Sequence, residues 1–139
     1  MNYYFDSEEF KNTSTYKNFI NVNDGKGILK IEASTASEAY PLSGVEIIIS
    51  KKLDGNNIIF YKGTTNESGI IDGIVLPTRS ISKEIENASD IVYTTYDLYA
   101  NYSKYNFNKE YDVSIFDNIK VIQPITISVN DLIEGEENV

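Results

Sequence analysis

Apolar and polar side chains alternate with a period of two over much of the chain. In "GILKIEA", residues 27–33, Leu29, Ile31 and Ala33 fall on one side while Ile28, Lys30 and Glu32 fall on the other, the pattern of a strand with one buried face. The β-branched run "VEIIISKK" repeats it, with Val45, Ile47 and Ile49 set against Glu46, Ile48 and Ser50. Between the two lies the polar loop "STASEAYPLSG", where Pro41 fixes the backbone and Gly44 relieves it. Asp54-Gly55 then separates two strand-like runs and supplies the positive φ angles of a tight hairpin turn. The next strand, "IIFYKGTT", ends at "NESG", where Asn66 and Gly69 again carry turn chemistry, and "IIDGIVLP" brings the chain back. Pro77 is expected to end that strand or to stand at a sheet edge. Residues 78–91 lack sustained alternation and read as a loop. Three further strands are expected in "IVYTTYDLYANY", "KEYDVSIF" and "IKVIQPITISV". Short strands punctuated by turn signals, with no convincing amphipathic helix beside them, predict an all-β, antiparallel sandwich of about seven strands with an N-terminal extension.

The two ends differ from the middle. Residues 1–26 scatter Tyr3, Tyr4, Phe5, Phe10, Tyr16, Phe19 and Ile20 among polar residues, and a helix is expected after Asp6 or Ser7, either of which can cap its first turn. Rings at this density require a docking surface, either the chain's own sandwich or a neighbouring subunit. The six aromatic residues Tyr3, Tyr4, Phe5, Phe10, Tyr16 and Phe19 are therefore the candidate partner-binding set. Residues 131–139, acidic and turn-rich, read as a solvated tail, which leaves 27–130 as the sandwich domain.

Composition narrows the function classes. A chain of 139 residues with 41% hydrophobic side chains is long enough to bury a core of its own. Its net charge of -9 repels phosphate backbones and anionic lipid. No apolar run reaches the roughly 20 residues that span a bilayer. No secretory signal is visible at the N-terminus, so cytoplasmic synthesis is expected. Cysteine is absent, which removes disulfides and thiolate metal sites and leaves the compartment open. Histidine is absent too, and with it the usual general base near neutral pH and the commonest metal ligand.

Six of the 11 tyrosines lie in "YTTYDLYANYSKYNFNKEY", residues 93–111. A strand from Val92 to Tyr102 puts Thr94, Tyr96, Leu98, Ala100 and Tyr102 on the core face, with the Tyr96 and Tyr102 hydroxyls held by partners at the rim. Tyr93, Asp97, Tyr99 and Asn101 fall on the wetter face. Core filling accounts for the first set. For the second, an alternative is a stacking platform for glycan made of Tyr93, Tyr99 and Asn101.

The series "GILKI", "YPLSGVEIII", "TTNESGIIDGIVLP", "YTTYDLYA" and "YDVSIFDNIKVIQ" resembles a carboxypeptidase-regulatory-like, or prealbumin-like, β-sandwich domain, from residue 27 to about 129. It is most similar to the variant in accessory regions of spore cortex-lytic enzymes and in small phage-related or envelope proteins of sporulating bacteria. Pro41, Gly44 and Val45 match the lead into the second strand of the pattern. Thr65, Ser68 and Gly69 match its hairpin, with Asn66 where the family usually has Asp. Leu76-Pro77 match a strand end, Tyr96-Asp97 the following strand, and Phe116 and Gln123 the last hairpin. The resemblance implies a non-catalytic domain with no cofactor, and fold analogy supplies no activity.

Related sandwiches in surface pilins carry a Lys-Asn crosslink, which Lys30 and Asn130 would mimic. Lys30, however, falls on the polar side of its strand, away from the burial that such a crosslink needs. Asp72, Asp97, Asp112 and Asp117 sit at turns or on wet faces, and no spacing selects a catalytic pair. "NVNDGKG" and "LDGNN" place oxygen ligands beside glycine without the order of an EF-hand loop, so no metal site is expected. The sequence thus points to a structural or adaptor module for protein-protein assembly, in a phage tail or tail-like particle or an envelope-associated complex, a homo-oligomer being one form of it. The alternative is a carbohydrate- or peptidoglycan-binding accessory domain.

Overall fold

A computed structural model describes residues 2–37, 39–80 and 92–128. The polypeptide is an all-β sandwich of two sheets, preceded by a short strand and two helices. The elements run β1 (Asn2–Tyr4), α1 (Glu8–Lys11), α2 (Ser14–Val22), β2 (Gly25–Thr35), β3 (Glu46–Leu53), β4 (Asn56–Thr64), β5 (Ile70–Thr78), β6 (Thr94–Tyr102), a 3-10 turn at Ser103–Tyr105, β7 (Phe107–Ile115) and β8 (Lys120–Ile127). One sheet has the order β1-β4-β3-β6-β7 and the other β5-β2-β8. The seven strands expected from alternation are β2 to β8. Of the loop expected at 78–91, Thr78 closes β5, and residues 81–91 lie outside the described residues, as does the tail at 131–139.

The inward sides are those the alternation marks. Leu29, Ile31, Val45, Ile47, Ile49, Tyr96, Leu98, Ile115, Ile125 and Ile127 are all buried, each with 0% exposure. At about 25 cal/mol per Å² of apolar surface removed from water, this shared layer is the main favourable term in folding.

Turn chemistry sets the registers. Asp54 and Gly55 have φ of 50° and 81° and close the β3-β4 hairpin, pairing Leu53 with Asn56. At the β4-β5 connection the Asn66 Oδ1 accepts the amides of Ser68 and Ile70. Gly69 there has φ 74° and lies so near the Ala33 carbonyl that a Cβ would sit 2.3 Å from its oxygen, so only glycine fits. Pro77 stands in β5 and Pro124 in β8, both edge strands, where a missing N–H is tolerated.

Two pairings depart from the antiparallel expectation. β2 runs parallel to β8, with Ile28 opposite Lys120 and Thr35 opposite Ile127, and β1 runs parallel to β4. A parallel pair needs a long crossover rather than a hairpin, and β2 and β8 are joined through five intervening strands. Side-chain alternation is the same in either direction, so it carries no information on strand polarity.

Tyr96 illustrates how a polar tip is accommodated in the core. Its ring is fully buried, and its hydroxyl donates to the Pro77 carbonyl of the opposite sheet, tying the layers together. Tyr102, expected to match it, is only half-buried and packs beside Tyr105, with ring centroids 5.2 Å apart. Burial pushes the Tyr96 phenol far above the ordinary tyrosine range. A phenol kept neutral by the fold contributes stability that is present below its unfolded pKa, about 10, and is lost as pH rises past that value. Tyr96→Phe is therefore expected to cost about 1–2 kcal/mol at neutral pH, by leaving the Pro77 carbonyl without its donor. It is also expected to show a shallower loss of stability than the native chain above pH about 10. Urea denaturation on both sides of that pH checks this; equal alkaline losses in the two proteins would contradict it.

Candidate functional site

The aromatic head lies on its own sandwich. Ser7 caps α1 by accepting the Phe10 amide at 3.2 Å, as one of the two sequence expectations has it. Thr13 caps α2 in the same way through the Tyr16 amide. β1 pairs with β4 from Asn2↔Asn57 to Tyr4↔Ile59, and the Phe5 amide donates to the Ile59 carbonyl.

This anchoring stacks Phe5 on Phe60, with centroids 4.4 Å apart. Phe60 in turn meets Tyr96 edge-on at 4.9 Å. Phe19 reaches both Phe5 and Phe60, while Phe10 packs against Tyr3, Phe5 and Tyr16. The rings thus form a continuous path from the head into the core. Of the six candidate partner-binding residues, Phe10 and Phe19 are buried, Tyr3, Phe5 and Tyr16 are half-buried, and Tyr4 is exposed. In this arrangement the docking surface is the chain itself, and Tyr4 is the member that faces solvent.

Between α2 and the β3-β4 turn lies a shallow groove of about 330 Å³, bordered by Phe19, Val22, Asn23, Lys52 and Leu53. The Thr15 hydroxyl closes one side by donating to Asp54 at 2.6 Å. Asn23 is buried and receives the Thr94 hydroxyl, so this amide is spent on holding the head to β6.

Tyr93, Tyr99 and Asn101 share the outer side of the five-stranded sheet but do not form one platform. Tyr93 lies six residues, about 20 Å of extended chain, from Tyr99. It is 48% exposed and leans on Phe116. Tyr99 is half-buried between Ile48 and Glu110 on the flanking strands. The Asn101 amide donates to Glu46 at 3.1 Å. Asp97 stands directly opposite Asp112 across the β6-β7 pair, a like-charge juxtaposition that disfavours the pairing locally. Among the described residues no group of three or more acidic side chains is arranged to hold a metal ion. Lys51 points inward from β3, its amine donating to the Thr95 carbonyl at 2.6 Å beside the Tyr96 ring. Burial holds this amine below the usual lysine range, and the charge of Asp97 opposes part of the effect. Lys30 lies on the outer side of β2, as alternation predicts, and Asn130 lies outside the described residues.

A further surface was not singled out from the sequence. On the outer side of the three-stranded sheet, Ile28 and Val75 stand directly opposite each other, and Ile122 lies one row along, beside Lys30. Their exposures are 39%, 55% and 53%. Around them, a Lys120-Asp72 ion pair of 3.0 Å spans β2 from one edge strand to the other. The hydrogen bond from Lys120 depresses the Asp72 carboxyl below its ordinary range, with the Gly73 amide and the charge of Lys30 adding to it. The signal in the sequence was Ile28 itself, an apolar residue on the polar side of its strand. Its weight depends on neighbours from β5 and β8 that only the register supplies.

No protein-family model matches the chain. No curated protein matches it either. Among solved structures, similarity is found to the 5-hydroxyisourate hydrolase of Klebsiella pneumoniae, at 18% identity and a TM-score of 0.47, over 73% of this chain and 90% of that one. It extends to an (S)-allantoin synthase at 10% identity and a TM-score of 0.49, over 77% and 42% of the two chains. BcpA, the major pilin subunit of Bacillus cereus, aligns at 15% identity and a TM-score of 0.43, over 73% and 29%.

The ring path predicts what removing a head residue does. Phe10→Ala is expected to lower stability by about 3–5 kcal/mol, at every protein concentration, in urea denaturation of the full chain. A loss seen only at high concentration would place the head on a neighbouring molecule instead.

Proposed function

We propose that this chain is a non-catalytic structural or adaptor module that joins protein subunits in a larger assembly. The settings that the sequence resemblance implies are a phage tail or tail-like particle and an envelope-associated complex. What supports the reading is the outer side of the three-stranded sheet, where Ile28, Val75 and Ile122 keep 39–55% of their surface in water on one paired face. Apolar side chains gathered on one face in this way mark protein contact surfaces. The head adds to the rigidity of the module rather than reaching out from it, since its rings are used internally. Proteins of this kind work by presenting fixed surfaces at fixed angles, and a sandwich with both layers tied by Tyr96 is suited to that.

Amine-directed crosslinking in the native source, followed by peptide mass spectrometry, tests the assembly role. Crosslinks from Lys30 and Lys120, which border the apolar face, to another protein chain are expected. Recovery of intramolecular crosslinks alone would count against the proposal.

A second reading, binding of cell-wall carbohydrate, draws on the Tyr99 ring beside the Asn101-Glu46 pair, an aromatic plane next to an amide and a carboxylate. It predicts retention on purified cell wall that Tyr99→Ser abolishes without changing the melting temperature. Equal retention of native and variant chains would remove it.

A further inference from the structure

We infer that the outer face of the three-stranded sheet docks a second copy of this chain, sheet against sheet, about a two-fold axis parallel to β2. The inference rests on the assembly reading above and names its partner.

Charge selects this face. Its outer positions carry Lys26, Lys30 and Lys120 against Glu32 and Asp72. The outer side of the five-stranded sheet carries Glu46, Asp97, Glu110 and Asp112 against Lys52 and Lys62. In a chain of net charge -9, two copies meeting through the larger sheet bring like charges together, whereas the smaller sheet has a near-balanced face. Electrostatic complementarity of this kind decides which surfaces associate, and in what orientation, more than how tightly.

The placement of one acid and one base selects the symmetry. Asp72 lies on β5 and Lys120 on β8, the two edges of the sheet, with β2 between them. A two-fold axis parallel to β2 carries β5 of one copy over β8 of the other. The axis keeps each row in place, so Asp72, beside Lys30, lies one row from the second copy's Lys120, in the row of Ile28, and the two meet diagonally, twice by symmetry, as a self-complementary contact requires. Near the axis Ile28 meets its own counterpart, with Val75 and Ile122 flanking it. An axis across the strands would lay β5 over β5 and β8 over β8, keeping acid on the side of acid and base on the side of base, which like charges disfavour. The face is three strands, roughly 14 Å, wide and about 26 Å long. That is about 700 Å² over both copies, below the range of stable interfaces, so the association is weak, reversible and dependent on concentration.

Sedimentation velocity of the full chain, from low to high micromolar concentration, is expected to show a monomer-dimer equilibrium. Asp72→Lys alone and Lys120→Asp alone are each expected to weaken it at least about a hundredfold, because each makes two like-charge contacts across the axis. Mixing the two variants is expected to restore a dimer, now a heterodimer, since every contact across the axis again pairs one lysine with one aspartate. The ion pair within each chain stays broken in that mixture, so rescue reports the contact between copies and not the local one. Near-UV circular dichroism of each variant establishes that the fold is retained, and Ile28→Ser is expected to abolish the dimer without altering that spectrum. A native chain that stays monomeric throughout, a dimer indifferent to both reversals, or variants that mixing does not rescue would overturn the inference. If the chain is monomeric yet Lys30 and Lys120 crosslink to a different protein in the native source, this inference fails and the assembly reading stands. If neither dimer nor crosslink forms, both fail.

Discussion

The stack of Phe5 on Phe60 is the contact on which the rest of the structure depends. A sheet of five strands lies against one of three, so among the described residues part of the larger sheet's inner face has no strand above it. The N-terminal segment fills that position. β1 extends the larger sheet by pairing with β4, and the two helices fold back over it with Phe5, Phe10 and Phe19 turned inward. The rings continue through Phe60 to Tyr96, whose hydroxyl is fixed to the smaller sheet. Head, larger sheet and smaller sheet therefore share one apolar interior, and loosening the first opens the core of the other two.

Much of this was legible in the sequence, because a half-buried strand writes its inner face as every second residue. Leu29, Ile31, Ile47, Ile49, Tyr96 and Leu98 were read inward and are inward. Asp54-Gly55 and Asn66 to Gly69 marked turns because their chemistry is local, and Ser7 marked a helix start for the same reason. What was hidden depends on partners distant in sequence. The register shift between β3 and β4 leaves Phe60 unpaired between Ile59 and Tyr61, and both Phe60 and Tyr61 pack against the core, an outcome no alternating pattern encodes. The parallel pairing of β2 with β8 is likewise invisible to periodicity. The helix after Thr13 was missed because its apolar residues read as scattered rings until Phe60 gave them a common target.

The candidate surfaces divide along the same line. The aromatic head drew attention because rings in a polar segment are locally conspicuous, yet most of them are covered by the fold. The apolar side of the smaller sheet takes its members from β2, β5 and β8, one from each, and exists only once the strands are in register. Charge follows a similar logic. The excess of acid is evident from composition, but its concentration on the larger sheet, leaving the smaller one nearly balanced, is set by topology.

Amide hydrogen exchange on the intact chain tests the shared interior most directly. If the head is part of the core, the amides of Phe5 and α2 exchange only in the same cooperative opening that exposes β3 and β6, and are protected to a comparable degree. Head amides that exchange orders of magnitude faster than those of Ile47 and Leu98 would show that the sandwich stands without them, and would contradict the account.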